Sequence, residues 1–204
     1  MNQRGSVRGS YRNGVARRQQ IVEKAAEVFA AVGYHGGSMR QIAHEVGVTP
    51  AALGRHFASK EDLLVAVMEW WRLHTDEHIG GAAHGLSFFT ELRSLLEYHI
   101  DNRGLLELFF ILTSESSNPD HPAAPFLRKR YSETVEWFAR ELGIAYRNGE
   151  IVEMSSAEAE AEARTVVALL DGIEVQWLLD EQVDMVALYQ HNLGRLIVAW
   201  KRAW

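Results

Sequence analysis

The 204-residue sequence predicts an all-α chain, and three observations carry that reading. Apolar residues recur at helical spacing in one segment after another. Gly, Pro and Ser/Thr/Asp residues stand where those segments start and stop. A hydrophobic content of 47% is enough to fill a sizeable core.

The elements follow in order. Residues 1–16 hold Arg4, Arg8 and Arg12 among Gly, Ser and Asn, and read as a flexible basic arm. From Arg17 to Val32, the residues Ile21, Ala25, Val28, Phe29 and Val32 form one helical stripe that stops at Gly33. Ser38, with Gln41 three residues on, starts a second helix whose inner face is Met39, Ile42, Ala43 and Val46. Gly47 ends that helix, and Thr49 with Pro50 starts a third as N-cap and first helical residue. Ser59 and Asp62 have capping spacing again, and helices are expected at about 60–80, 87–103, 105–117, 123–148, 156–180 and 184–203. The segment "SSNPDHPAAP" marks the clearest internal loop.

Residues 38–57 have the spacing of a helix-turn-helix, in which small residues let two short helices pack closely and a glycine accepts the left-handed turn. Ala43 and Gly47 take the small positions, and Ile42, Val46, Val48 and Leu53 the apolar ones. An ordinary helical hairpin is the competing reading. Charge favours the first: residues 1–63 carry nine Lys/Arg against five Asp/Glu, whereas residues 64–204 carry twelve against twenty-two. One end suits a polyanion and the other repels it. Arg17 and Arg18 extend the basic end, either as a solvated tail or as an arm that orders on nucleic acid.

The stretch "AAEVFAAVGYHGGSMRQIAHEVGVTPAALGRHFASKEDLLVAVM", residues 25–68, resembles the TetR-type transcriptional regulators. "LLDGIEVQWLLDEQVDM", residues 169–185, is similar to a segment in one subset of that family's ligand-binding domains. The resemblance implies a helix-turn-helix DNA-binding domain over residues 17–63 and a helical ligand-binding and dimerisation domain over 64–204. A recognition helix must approach base edges in the major groove, so its exposed face must be small. Thr49, Pro50, Ala51 and Arg55 are then expected at the DNA, with Thr49 on a phosphate or base edge, Ala51 on a thymine methyl and Arg55 on a guanine or phosphate. Backbone amides at the helix start add phosphate affinity. Gly54 stands where family members commonly have a tyrosine that helps hold the DNA backbone. His56 is either a phosphate contact or a partly packed structural histidine. Lys60 matches a phosphate-contacting position, and Ser38 and Arg40 are placed to grip the flanking backbone.

The resemblance further implies a homodimer on a palindromic operator of double-stranded DNA, with recognition helices about 34–36 Å apart. Val166, Leu170, Ile173, Trp177, Tyr189, Leu193, Leu196, Ile197 and Trp200 are the expected dimer interface, with Gly172 and Gly194 allowing close approach. A chain that uses these stripes for its own core is the competing reading. The effector is expected to be a small hydrophobic molecule, with Trp71, His99, Phe109, Thr113, Trp137, Asp171 and Trp177 as candidate contacts. Its binding would move the helix at 60–80, change the spacing of the recognition helices and release the operator, the usual sense for a repressor; the sequence itself does not fix that sign, and activation or ligand-independent binding are the competing readings.

Other classes are less well served. The chain has no cysteine, no G-x-S-x-G, no G-x-G-x-x-G and no Walker-type loop, so no catalytic residue and no cofactor are expected. His74 and His78 lie four residues apart on one helix face, but further ligands are not specified and no metal is assigned. No uncharged apolar run of about 18 residues is present and the basic start lacks a signal-peptide core, so a cytoplasmic protein with no membrane partner is expected. A dimeric helical small-molecule-binding protein without sequence-specific DNA recognition is the alternative function, kept open by Gly54.

Overall fold

The computed structural model describes residues 4–79 and 83–202, and the described elements are helices α1 (Arg4–Gly36), α2 (Met39–Val46), α3 (Pro50–Gly54), α4 (Lys60–His78), α5 (Leu86–Asp101), α6 (Arg103–Glu115), α7 (Ala124–Arg147), α8 (Ser156–Leu179) and α9 (Met185–Trp200). No strand occurs among the described residues. The all-α prediction holds, and apart from the start of α1 the helix bounds fall within a few residues of those expected from apolar periodicity and caps.

The amino-terminal stretch differs from expectation. Residues 1–3 lie outside the described residues, as do the side chains of 4–13, but α1 already begins at Arg4 where a flexible arm was expected. Residues 15–20 are all exposed, and packing starts at Ile21. A helix anchored by its packed turns propagates outward at one hydrogen bond per added residue, which composition alone does not reveal. Gly33 breaks the helix with φ 72° and ψ 169°, at the position the sequence assigned to the cap.

The chain forms two compact units, and they do not divide at the expected 63/64 boundary. The first comprises residues up to Leu73 together with Gly104–Ala123. Its core is Ile21, Ala25 and Phe29 from α1, Ile42 and Ala43 from α2, Leu53 from α3, and Leu63, Leu64 and Val67 from α4. Within this unit the start of α6 meets α1 so closely that a Cβ on Gly104 would overlap the carbonyl oxygen of Ala30 and stand 2.7 Å from its carbonyl carbon. Only glycine fits there.

The second unit comprises His74–Arg103 and the chain from Ala124 onward. Its centre is aromatic: Phe88 lies 5.2 Å from Phe89, 5.0 Å from Trp137 and 5.3 Å from Phe138, and Phe89 lies 5.2 Å from Trp200, measured between ring centroids. The Tyr189 hydroxyl donates to the Phe89 carbonyl at 2.7 Å, tying α9 to α5. The start of α5 has no side-chain cap of its own. Its Gly85 and Leu86 N–H groups donate instead to Glu141 and Glu150, at 3.0 and 2.9 Å, so carboxylates from a distant part of the chain satisfy the orphan donors.

This unit corrects the expected dimer interface. Val166, Leu170, Ile173, Trp177, Tyr189, Leu193 and Trp200 are buried within the single chain and build its own core; Leu196 and Ile197 keep partial exposure. The most apolar stripe of a helix is the one its own core takes first, so ranking stripes by hydrophobicity selected the wrong face. The outward face of the same two helices holds Ala168, Gly172, Val175 and Leu179 on α8, and Ala187, Gly194 and Val198 on α9. Val175, Leu179 and Val198 are 39%, 84% and 49% exposed.

Candidate nucleic-acid interface

Three side-chain caps in series shape the basic end. Ser38 Oγ accepts from the Gln41 N–H at 3.1 Å, Thr49 Oγ1 from the Ala52 N–H at 3.1 Å and Ser59 Oγ from the Asp62 N–H at 3.0 Å. Each satisfies one orphan donor at a helix start and fixes where the chain turns. Between the first two helices Gly47 adopts φ 71° and ψ 39°, and the Val48 N–H returns to the Ala43 carbonyl at 2.9 Å. Pro50 occupies the first turn of α3. Ile42, Ala43 and Leu53 are fully buried, so α2 and α3 are locked to each other and to α1 from within.

That locking leaves the opposite surface of α3 bare. With Leu53 inward, the helical period turns Ala51 and Arg55 outward, flanked by Gly54, and all three are exposed. A Cβ on Gly54 would meet nothing within 4 Å. Ser38, Arg40, Thr49, Pro50, Arg17 and Arg18 are exposed as well; His56 is half-buried. Among the described residues, Arg17, Arg40 and Arg55 have no carboxylate partner. Arg18 rests on the Phe57 ring, its Cζ 4.6 Å from the centroid. Lys60 lies 4.2 Å over the Tyr34 ring, and burial lowers its pKa below the ordinary lysine value. The Tyr34 hydroxyl donates to Glu61 at 3.0 Å, which helps hold that carboxyl below its usual range, after the larger effect of a hydrogen bond to its own backbone. The surface therefore offers cations that no acid neutralises, the condition for binding a polyanion.

Sequence reasoning passed over some of these features. Gln41 is exposed on α2 next to Arg40 in the chain and was not among the expected DNA contacts, because the capping-box spacing commits its side chain to the helix start, whereas only its backbone N–H bonds to Ser38. The aromatic seats of Arg18 and Lys60 depend on ring positions that spacing does not give.

The expected effector residues divide between the two units. In the first, Trp71 and Phe109 have ring centroids 5.8 Å apart, and the Thr113 hydroxyl donates to the Phe109 carbonyl at 2.8 Å. In the second, His99 Nδ1 is 2.7 Å from Glu174 Oε1, Trp137 packs on Phe88, and Asp171 accepts from the Tyr131 hydroxyl at 2.8 Å. Arg103 lies 5.1 Å over Trp177. A groove of about 490 Å³ between α7 and α8 is lined by residues other than these seven, among them Val135, Arg140, Met154 and Arg164. Of the His74 and His78 pair, the His78 side chain lies outside the described residues. Among the described residues no helix is long and apolar enough to cross a membrane.

Capped short helices at a glycine corner, with an exposed small-residue crown and unneutralised arginines, define a helix-turn-helix DNA-binding module. Residues 21–67 match the family model described as bacterial regulatory proteins, tetR family. Residues 21–67 thus carry the amino-terminal domain of the TetR family of transcriptional regulators. It is 35% identical over 106 residues to the HTH-type transcriptional activator FasR of Mycolicibacterium smegmatis, a match covering 52% of this chain and 44% of that protein. The chain thus spans less than half the length of that relative in the match. Among solved structures, a putative TetR-family regulator from Rhodococcus sp. has a TM-score of 0.72 at 24% identity, covering 90% of this chain and 98% of that one. FadR of Bacillus subtilis, solved in complex with stearoyl-CoA, has a TM-score of 0.67 at 21% identity and covers 88% and 97%.

Proposed function

We propose that this chain is a ligand-responsive repressor that binds a palindromic operator as a homodimer and is released by a small hydrophobic effector. The observation that carries this reading is the bare crown of α3, where Ala51, Gly54 and Arg55 are exposed, together with the exposed Arg40 of α2, which has no carboxylate partner among the described residues. Thr49, Pro50 and Ala51 meet base edges; Arg17, Arg18, Ser38, Arg40, His56 and Lys60 serve the phosphates; Arg55 faces the groove. The outward face of α8 and α9, with Val175, Leu179 and Val198 around Gly172 and Gly194, is the surface through which two copies pair. A hydrophobic effector accords with the stearoyl-CoA bound by FadR. A binding protein without DNA recognition has no use for a capped, cation-bearing helix-turn-helix, and this alternative is not favoured.

The test is selection of bound fragments from a random double-stranded DNA pool at near-physiological salt with nonspecific competitor. An inverted repeat is expected. A folded dimer that enriches nothing would overturn the reading. A reporter carrying the selected operator then fixes the sign: expression falls on adding the protein if it represses and rises if, like FasR by name, it activates.

A further inference from the structure

Buried in the second unit are the polar side chains of Thr75, His99, Glu141 and Glu174. Three of the four are engaged: His99 meets Glu174 at 2.7 Å, and Glu141 accepts from the Gly85 N–H at 3.0 Å. Thr75, 1% exposed, has no hydrogen-bond partner for its Oγ1 among the described residues. A helical threonine commonly donates its hydroxyl to the carbonyl four residues back. Thr90, Thr113 and Thr165 all do so, at 3.2, 2.8 and 3.0 Å, although each is less buried. The hydroxyl that most needs a partner is the one that lacks it.

Thr75 continues a stripe of α4 on which Leu64, Met68 and Trp71 are equally buried, at helical spacing. Valine has the shape of threonine and would fill that position without an orphaned oxygen, so in the free protein the hydroxyl opposes folding. A ligand that supplies the missing bond reverses that cost and is favoured by it. The chemistry also limits the ligand: the hydroxyl donates one hydrogen bond and accepts two, but it carries no charge and cannot offset the burial of one. We propose that Thr75 holds the uncharged polar group of the effector. The ligand is then an apolar molecule with one neutral oxygen function, such as an alcohol or a ketone, rather than a bare hydrocarbon or a carboxylate. This inference rests on the ligand-responsive reading above and adds to it a contact and a chemical class.

The experiment uses the full chain and two variants, Thr75→Val and Thr75→Ser. Without ligand, Thr75→Val should melt about 2–4 °C higher than wild type, because the orphaned oxygen is gone. A variant that melts no higher means that the hydroxyl is satisfied internally, by a trapped water, and overturns the inference. The probes are octanol, octanone, octanoate and octane, titrated calorimetrically. Wild type should bind the alcohol and the ketone about three- to ten-fold more tightly than octane or octanoate; Thr75→Ser should keep that preference and Thr75→Val should lose it. A preference that survives in Thr75→Val, or a wild type with none, overturns the inference. The regulator reading stands or falls separately: it stands if the random-pool selection yields an inverted repeat and fails if the folded dimer enriches nothing, whatever the probes show.

Discussion

His99 Nδ1 stands 2.7 Å from Glu174 Oε1, and both side chains are buried where α5 and α8 share the core of the second unit. Removing either member takes this close buried contact from the other. Glu174→Ala should lower unfolding free energy by about 1–3 kcal/mol, and His99→Leu combined with Glu174→Leu should recover part of the loss. Urea melts of the single and double variants check this; additive losses would show that the two groups are not coupled.

Asp171 accepts from Tyr131 at 2.8 Å, yet burial outweighs that bond and raises its pKa from 3.8 to about 6. A carboxyl that holds its proton more tightly folded than unfolded favours folding while protonated. Its contribution declines as pH rises from 3.8 towards about 6 and stays at the lower level above that. Asp171→Asn keeps an acceptor for Tyr131 and cannot ionise. It should stabilise the protein at pH 8, on the order of 1 kcal/mol, and change nothing below the unfolded-state value. Thermal melts across that range read the difference directly.

Lys60 sits over Tyr34 at 4.2 Å, a position that fixes its ammonium against the start of α4. If that charge meets a phosphate, Lys60→Ala weakens operator and random DNA alike, and the slope of log affinity against log salt shrinks by about 1. Anisotropy titrations at several salt concentrations measure it, and an unchanged slope removes Lys60 from the contact set.

A Cβ at Gly54 meets nothing within 4 Å, and the position is exposed, so a side chain there can extend into solvent. Gly54→Tyr should fold at least as stably, with a gain of about 0.5–1 kcal/mol from restricting the unfolded backbone. Its phenol can then reach the DNA backbone, so affinity for random duplex should rise several-fold. A folded variant with weaker binding would mean that the crown must stay bare for the helix to approach.

Val175 and Val198 lie outward on α8 and α9, half exposed in the single chain. Val175→Glu with Val198→Glu places like charges across any two-fold contact made there and should shift the sedimentation profile to monomer, with loss of operator binding. Persisting dimers would move the pairing surface elsewhere.

The elements that local chemistry controls were legible in the sequence: Ser38, Thr49 and Ser59 cap as their spacing predicts, and Gly47 turns left-handed. The crown of α3 was legible for the same reason, because one buried residue, Leu53, turns Ala51, Gly54 and Arg55 outward. Long-range choices were not. Val166 and Tyr189 belong to the chain's own core, since hydrophobicity says that a stripe is covered but not by whom. The Tyr34 bond to Glu61 and the Glu141 and Glu150 contacts at α5 join residues 27 to 64 positions apart, and no periodicity encodes such pairs.

The close seat of Gly104 on Ala30 means that the first compact unit is not a contiguous length of chain. A hybrid regulator built by grafting residues 1–73 onto a foreign sensor would leave Ala30 facing a helix of unknown bulk, whose first side chain has no room. The module to transplant is a pair of segments, the second beginning at Gly104, and any recombination event that separates them must supply a glycine at the junction.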